Sequence, residues 1–323
     1  MDRYLGLDLG GTKLLAGEMT QTGRVLWTKR YDTGVLTQSS AFSLMRRVMD
    51  DIRSTRGLEG ITGLGIGMPG KVDHVSGVWC ELDTVRHDPI ALSKEMEALY
   101  GLRCSIDNDV RCAARAEWAF GMGRRARSLA FLNIGTGIAA AYISEGRLLT
   151  GAHFEAGEIG HTSSGIPERR ACFCGRDDCV ENVAAGVGLD ERARRLAKDH
   201  PGTALRLPPA PERVRATDIF ALSDTDLLCA LLTEDAARAA AGLIMNAVRF
   251  YDPECVVLAG GVISAPFFFG RVMDRTPADY RDYVPLGIRL SGLQAGCAGL
   301  MGACCCAAMA LGRPLSPEEA EMD

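Results

Sequence analysis

The stretch EAGEIGHTSSGIPERRACFCGRDDCVEN, residues 155–182, gathers side chains that bind metals. His161, Cys172, Cys174 and Cys179 fall within nineteen residues, with Glu158 before them and Glu181 just beyond the last cysteine. Three thiolates and one imidazole suit tetrahedral Zn²⁺, and a protein that supplies all four ligands makes a structural site with no open position. The spacing C-x-C-x4-C matches neither a zinc finger nor a thioredoxin-like C-x-x-C. Free surface thiols rank below zinc. A disulfide ranks lower still, because the N-terminus reads as a strand rather than an export signal and a reducing, cytoplasmic compartment is the expectation. A metal cluster here would fix the loops that carry Glu158 and Glu181, and rigidly held carboxylates are good acceptors for a ring of hydroxyls. One His161 nitrogen would bind the metal while the other serves a ligand or a neighbour.

A second group of acids stands in IDNDVRCAARAEW, where Asp107, Asn108 and Asp109 occupy a strand-to-helix junction. Asn and Asp are common helix N-caps. A carboxylate there would equally serve as general base, since a hydroxyl is a poor nucleophile at neutral pH and phosphoryl transfer profits from a proton acceptor. Both readings stand level on chemistry alone. DLGGTK then offers Asp8 at a strand end followed by Gly10, Gly11, Thr12 and Lys13. Paired glycines turn tightly and present N–H groups to an anion; the Thr12 hydroxyl could donate to a phosphate, and Asp8 could hold Mg²⁺ directly or through water. Thr136 and Gly137 in NIGTGI and Gly260 and Gly261 in LAGGVI repeat the device. Each alone also reads as a hairpin or bulge, but three such turns after buried strands favour a nucleotide cleft. Neither a P-loop nor a dinucleotide fingerprint is present.

These residues need a scaffold. Strand-like and helical patterns alternate along the chain, which gives an α/β class in two lobes. The N-terminus reads strand, glycine turn, strand, polar turn, strand; residues 39–55 and 91–100 read as helices. SLAFLNIGTGIAAAYI repeats the N-terminal design and marks a second domain of related pattern. Residues 198–216, with four prolines, read as a surface loop, and 234–251 as an Ala-rich helix. The boundaries expected are 1–118 for the first lobe and 119–307 for the second, with a last helix, about 308–323, returning to the first. The 323 residues suit two domains, 47% are hydrophobic, and the net charge of −5 without a basic block argues against nucleic acid or an anionic membrane as partner. The longest uncharged stretch, Leu290 to Gly312, is Gly-, Ala- and Cys-rich and reads as a buried loop and helix, not a membrane span. The other nine of the twelve cysteines read as small buried hydrophobes.

DLGGTK, GIGMPGKVD, DND, NIGTGI, TGAHFEAGEIGH, CFCGRDDCVE and LAGGVI, in this order over nearly the whole chain, resemble the ROK family of repressors and sugar kinases. The resemblance implies a two-lobed actin/hexokinase-like (ribonuclease H-like) fold around an interdomain cleft, and phosphorylation of a hexose or N-acetylhexosamine by Mg-ATP at the 6-hydroxyl. It implies Asp109 as catalytic base and Asn108, Glu158, His161 and Glu181, with Asp109, as sugar ligands. His161, Cys172, Cys174 and Cys179 become the zinc set. Gly10, Gly11, Thr12, Lys13, Thr136, Gly137, Gly260 and Gly261, with Asp8, become the phosphate, nucleotide and magnesium contacts. Homo-oligomers, dimers or tetramers, are usual in the family. TGAHFEAGEIGH and FYDPECVVLAGGVISAPFF lean toward the D-allose kinase branch, with glucose the other leading substrate. A sugar-responsive repressor would carry a DNA-binding region ahead of the first glycine motif, which here begins at residue 8; a non-catalytic sugar-binding protein is the third alternative. Four departures from the family pattern stand out: Arg111 where Asn is usual, IAAA for IGGG after GTG, Asp178 for a Gly, and ELDTVRHDP at 81–89.

Overall fold

The computed structural model describes residues 1–82, 88–167, 170–294, 296–313 and 315. In chain order the elements are β1 (Arg3–Leu9), β2 (Lys13–Thr20), β3 (Val25–Asp32), α1 (Gln38–Arg56), β4 (Gly63–Met68), β5 (Lys71–Asp73), β6 (Val78–Glu81), α2 (Leu92–Tyr100), β7 (Cys104–Asn108) and α3 (Asp109–Phe120). They continue with β8 (Ser128–Ile134), β9 (Ile138–Ser144), β10 (Arg147–Leu148), α4 (Val180–Ala184), α5 (Gly186–Leu196), α6 (Ala216–Ala221), α7 (Leu227–Tyr251), β11 (Cys255–Ala259), α8 (Pro266–Arg275), α9 (Ala278–Asp282), β12 (Ile288–Leu290) and α10 (Ala298–Ala310). The chain divides into two compact units. Unit 1 comprises Met1–Arg125, Thr150–Glu155 and Gly292–Asp323; unit 2 comprises Ala126–Leu149 and Ala156–Ser291.

Unit 1 holds a five-stranded sheet in the order β3-β2-β1-β4-β7. β1 to β3 form antiparallel hairpins, while β4 and β7 run parallel to β1. Crossover helices explain this mixture, since a parallel neighbour requires a long return connection. α1 begins with a capping box: Ser40 N–H donates to Thr37 Oγ1 at 3.0 Å and Thr37 N–H to Ser40 Oγ at 2.8 Å. Its buried stripe, Ala41, Leu44, Met45, Val48, Met49 and Ile52, packs in one core with Leu5, Leu7, Leu64 and Ile66 of the sheet. α10 carries no charge in its thirteen residues and is buried nearly throughout, as an all-round apolar helix must be. Two glycines let it approach: a Cβ on Gly65 would lie 1.7 Å from Ala303 O, and one on Gly302 would lie 1.7 Å from Cys112 O. The first seats α10 on β4 and the second seats it on α3.

Unit 2 repeats the plan. Its sheet runs β10-β9-β8-β11-β12, with β8 to β10 antiparallel and β11 and β12 parallel to β8. α7 supplies its largest helical surface, with Leu228, Leu232, Ala236, Ala240, Leu243 and Ile244 fully buried against Leu132, Ile134, Val256 and Leu258. Asp226 caps it by accepting from Cys229 N–H at 3.0 Å.

The divisions differ from those read in the sequence. Unit 1 extends to residue 125 and regains the chain at 292, so the whole of α10, not only residues beyond 308, lies in it. Residues 314 and 316–323 of the expected last helix lie outside the described residues. α7 starts at Leu227, seven residues ahead of the Ala-rich run, because Asp226 provides the cap. Of the nine scattered cysteines all but Cys80 are buried.

Candidate active site

In unit 1 the first glycine motif is a hairpin. Gly10 N–H donates to Lys13 O at 2.8 Å, and from beyond β3 Thr33 fixes the turn with N–H to Thr12 O at 3.2 Å and Oγ1 to Gly11 O at 3.1 Å. Gly11, Thr12 and Lys13 are exposed at its tip. Asp8 sits one residue before the end of β1, over the first turn of α10. A Cβ on Gly299 would come within 2.5 Å of its carboxyl, so glycine alone leaves room for it. Removal from water, then the charge of Asp109, raise the Asp8 pKa to about 7 against the opposing charge of Lys13.

β7 ends and α3 begins at the DND motif. Asn108 is the N-cap: its Oδ1 accepts from Val110 N–H at 3.0 Å and Arg111 N–H at 3.3 Å, while its Nδ2 donates to Gly70 O at 3.2 Å. It thereby ties α3 to the Pro69-Gly70 turn after β4. Asp109 opens the helix, and its Oδ1 accepts from Val110 N–H at 2.9 Å. Desolvation raises its pKa; the N–H groups of Val110 and Asp109 itself and the charge of Arg111 oppose this. Asp107 is buried and turns inward to an ion pair with Arg111, 2.6 Å from Asp107 Oδ1 to Arg111 Nε, and with Arg115 at 3.4 Å. The cap therefore belongs to Asn108, while the Asp109 carboxylate is held by Val110 N–H alone among the backbone groups of the next turn.

Unit 2 carries the cysteine motif. Cys172 N–H donates to Arg176 O at 2.7 Å and Gly175 N–H to Cys172 O at 3.0 Å, a tight knuckle in which Gly175 takes φ +87°. Ser163 bridges to Cys179, and Val180 N–H donates to Thr162 O at 2.9 Å, which brings the His161 turn beside it. The ligand atoms of His161, Cys172, Cys174 and Cys179 all lie within 4.8 Å of one another. Cys172 Sγ is 3.4 Å from His161 Nδ1, and Cys174 Sγ is 3.4 Å from Cys179 Sγ. Four donors so spaced fit a tetrahedral Zn²⁺, whose bonds of about 2.0–2.3 Å set ligands a little under 4 Å apart. His161 Nδ1 faces the thiols. Nε2 lies 4.0 Å from Glu158 Oε2, and Phe173 meets the ring edge-on at 4.6 Å. Asp178 accepts from the Ser163 hydroxyl, so the residue that departs from the family glycine braces the knuckle.

Glu181 stands on α4 two residues after Cys179. Its Oε2 accepts from Ile138 N–H at 2.7 Å, directly behind the Gly135–Gly137 turn. This leaves Oε1 as the freer oxygen for a ligand. That turn, the start of α5 and the AGG turn converge: Gly186 N–H donates to Gly135 O at 2.8 Å, Val187 N–H to Thr136 O at 3.1 Å, and Val262 N–H to Ile134 O at 3.2 Å. Gly260 requires its φ of +107°, since a Cβ there would lie 2.4 Å from Ile134 O. Around them opens a cavity of about 380 Å³, lined by Thr136, Gly186 and Gly261 on one side and by Arg213, Arg215 and Thr217 on the other. Sequence reasoning placed Thr136 and Gly261 here and missed the arginines and Gly186. A Gly-x-Gly before a helix, AGVGLDE, was the signal for Gly186; the arginines sit in a Pro-rich segment with no motif.

The ROK family profile matches residues 4–307. The chain is a member of the ROK family. It is 31% identical over 271 residues to the glucokinase of Halalkalibacterium halodurans, covering 81% of each chain. It is 27% identical over 288 residues to the glucokinase of Thermotoga maritima, covering 86% of this chain and 88% of the other. The crystal structure of a ROK hexokinase from Thermus thermophilus superposes with a TM-score of 0.76 at 27% identity, covering 96% of this chain and 99% of that one. These relatives agree with the ATP-dependent sugar kinase read from the motifs, and the two α/β units are those of a ROK kinase. Among the described residues no helix is long and apolar enough to cross a membrane. Of the ROK departures, IAAA lies on β9 with Ala140 and Ala141 buried, while residues 83–87 of the 81–89 segment lie outside the described residues.

Proposed function

We propose that this ROK sugar kinase phosphorylates a hexose at its 6-hydroxyl from Mg-ATP, with Asp109 as general base. The observation that carries the reading is the seat of Asp109: first residue of α3, oriented by Val110 N–H, desolvated near Asp8. A base whose pKa is raised toward the working pH accepts a proton more effectively in the transition state. Asn108, Glu158, His161 and Glu181 bind the sugar with it. His161 uses Nδ1 toward the zinc set and Nε2 toward the ligand. Gly10, Gly11, Thr12 and Lys13 meet the transferred phosphate; Thr136, Gly137, Gly260 and Gly261 shape the nucleotide seat. Asp8 would hold Mg²⁺, and two desolvated carboxylates within electrostatic reach of each other suit a divalent cation. The ion, when bound, neutralises charge on the phosphates. Zn²⁺ on His161, Cys172, Cys174 and Cys179 would order the loops of Glu158 and Glu181. We take the enzyme to act in the cytoplasm as a homo-oligomer.

Glucose is favoured by the glucokinase relatives and D-allose by TGAHFEAGEIGH and the AGGVIS region; an N-acetylhexosamine is the next substrate class. The test is ADP release in Mg-ATP over glucose, allose, mannose, fructose, N-acetylglucosamine and N-acetylmannosamine. Turnover of one sugar is the expected result and names the substrate. Silence over the whole panel, from folded and zinc-loaded protein, would overturn the assignment to these hexoses in favour of a non-catalytic sugar sensor.

A further inference from the structure

Arg111 replaces the Asn usual in the family pattern two residues after the base, and its surroundings give it a task. It is 2% exposed and reaches three separate pieces of unit 1. NH2 donates to Val72 O of β5 at 2.8 Å, and NH1 donates to Phe154 O in the Thr150–Glu155 segment at 3.0 Å. Nε lies 2.6 Å from Asp107 Oδ1, off the N–H direction, so this third contact is an ion pair rather than a hydrogen bond. The same Asp107 oxygen accepts from Asn108 N–H at 2.8 Å, which carries the constraint into the peptide ahead of Asp109.

Phe154 is a second sign that this place is held by force. Its φ of +61° is left-handed, a region that costs a non-glycine residue about 1–2 kcal/mol. Its carbonyl is the one Arg111 holds, its ring packs edge-on against His74 at 5.6 Å, and next to it Glu155 lies 3.7 Å from Lys71 Nζ. Two cations, one at each side of Val72, thus pin one short segment to β5. An asparagine at 111 would be too short to span both carbonyls.

We propose that Arg111 is a positioning residue: it locks the Asp107–Asp109 junction, β5 and the Thr150–Glu155 segment into one rigid unit and so fixes the direction of the general base. Being buried, it touches no substrate, and the departure from Asn re-braces the site from within. The proposal rests on the reading of Asp109 as base, and its test therefore has one part that needs no turnover.

The experiment compares Arg111→Lys and Arg111→Met with wild type in the full chain. A lysine keeps the charge but offers one ammonium where three acceptors diverge. Hydrogen exchange is followed at 150–155 and 107–111, with α7 as internal reference, alongside kcat and KM for sugar and for ATP. Expected in Arg111→Lys is exchange at least tenfold faster at 150–155 with α7 unchanged. A fall in kcat of about 10²-fold at nearly constant KM for ATP should accompany it, as a misdirected base gives. Arg111→Met should lose more of both. Unchanged local exchange, or exchange that rises over all elements together with kcat following only the folded fraction, would overturn the proposal. If wild type turns over no sugar while Arg111→Lys still loosens 150–155, the kinase assignment fails and the lock stands.

Discussion

The two sheets place their residues in the same order and direction, yet they carry different chemistry. Asp8 stands one residue before the end of β1, opposite Leu15 on β2 and Gly67 on β4. Asn133 stands one residue before the end of β8, opposite Ala139 on β9 and Ala259 on β11. Each precedes a glycine turn. Unit 1 has a carboxylate there, with Asp107 to Asp109 at the end of β7. At the matching end of β12 unit 2 has Leu290 and then Ser291. Unit 2 instead has bare glycine turns, with Gly260 forced against Ile134 O. One sheet presents acids and the other presents backbone. The fold fixes where a residue is displayed; the residue type decides whether that place presents a carboxylate or bare backbone N–H groups.

The sharpest way to break this contrast is to remove the acid that has no counterpart in unit 2. Asp109→Asn should lower kcat by about 10²–10⁴-fold, the usual contribution of a general base, and leave sugar affinity within a few-fold. Loss of binding together with turnover would make Asp109 a structural cap. In wild type, kcat/KM should fall as pH drops through the Asp109 pKa, because the base must be ionised. Burial raises that pKa, so the acid limb lies above the ordinary carboxylate range. The ionised form is also repelled by Asp8 and favoured by Arg111, and Arg111→Met should move the limb further up. A limb at the ordinary carboxylate position in both proteins would contradict the assignment.

Next in size is the exchange that writes one sheet's residue into the other. Asp8→Asn gives β1 the residue of β8 and should cost on the order of 10²-fold in kcat, with a raised requirement for Mg²⁺. Asn133→Asp should not create a second metal site, since no acid resembling Asp109 ends β12. An Asp8→Asn enzyme with unaltered magnesium dependence would remove Asp8 from the metal seat.

How much of this was legible beforehand follows from how local each signal is. The alternation of elements and the two matching halves could be read, because glycine turns after apolar strands are short-range features. The gathering of His161, Cys172, Cys174 and Cys179 could be read because the four lie within nineteen residues of sequence. The place of α10 could not: it depends on Gly65 and Gly302 admitting a backbone from nearly two hundred or more residues away in sequence. Nor could the role of Arg111, which is set by the way α3 turns it toward Val72 and Phe154. Asn108 shows the opposite case, where the N-cap reading of the DND motif is met by one residue of the three and leaves the neighbouring Asp109 out of the cap.

A smaller effect separates the cysteine knuckle of unit 2 from the sheets. About one zinc should be found per chain. Cys179→Ser should lose it, since Cys179 is fully buried at the start of α4, and should raise KM for the sugar about tenfold through Glu181. KM for ATP should move less. Metal analysis of purified wild type that finds no zinc would end the reading.

The smallest change sharpens the comparison at the nucleotide. If unit 2 offers only backbone at its turns, the negative charge of a donor seated there needs cations from outside the sheet. Arg213 and Arg215 line the same cavity as Thr136 and Gly261, and both are exposed to it rather than buried. Arg215 is partly engaged, with NH2 on Thr217 Oγ1 at 3.2 Å and Nε 3.8 Å from Asp218, which leaves Arg213 the readier of the two. Arg213→Ala should weaken ATP about tenfold, close to 1.4 kcal/mol, with KM for sugar unchanged and with wild-type affinity falling as salt is added. A fluorescent nucleotide titration reads this without turnover. Equal affinity in the variant would mean that the glycine turns and the helix α5 start hold the nucleotide unaided, and that the contrast between the two sheets is complete within the sheets themselves.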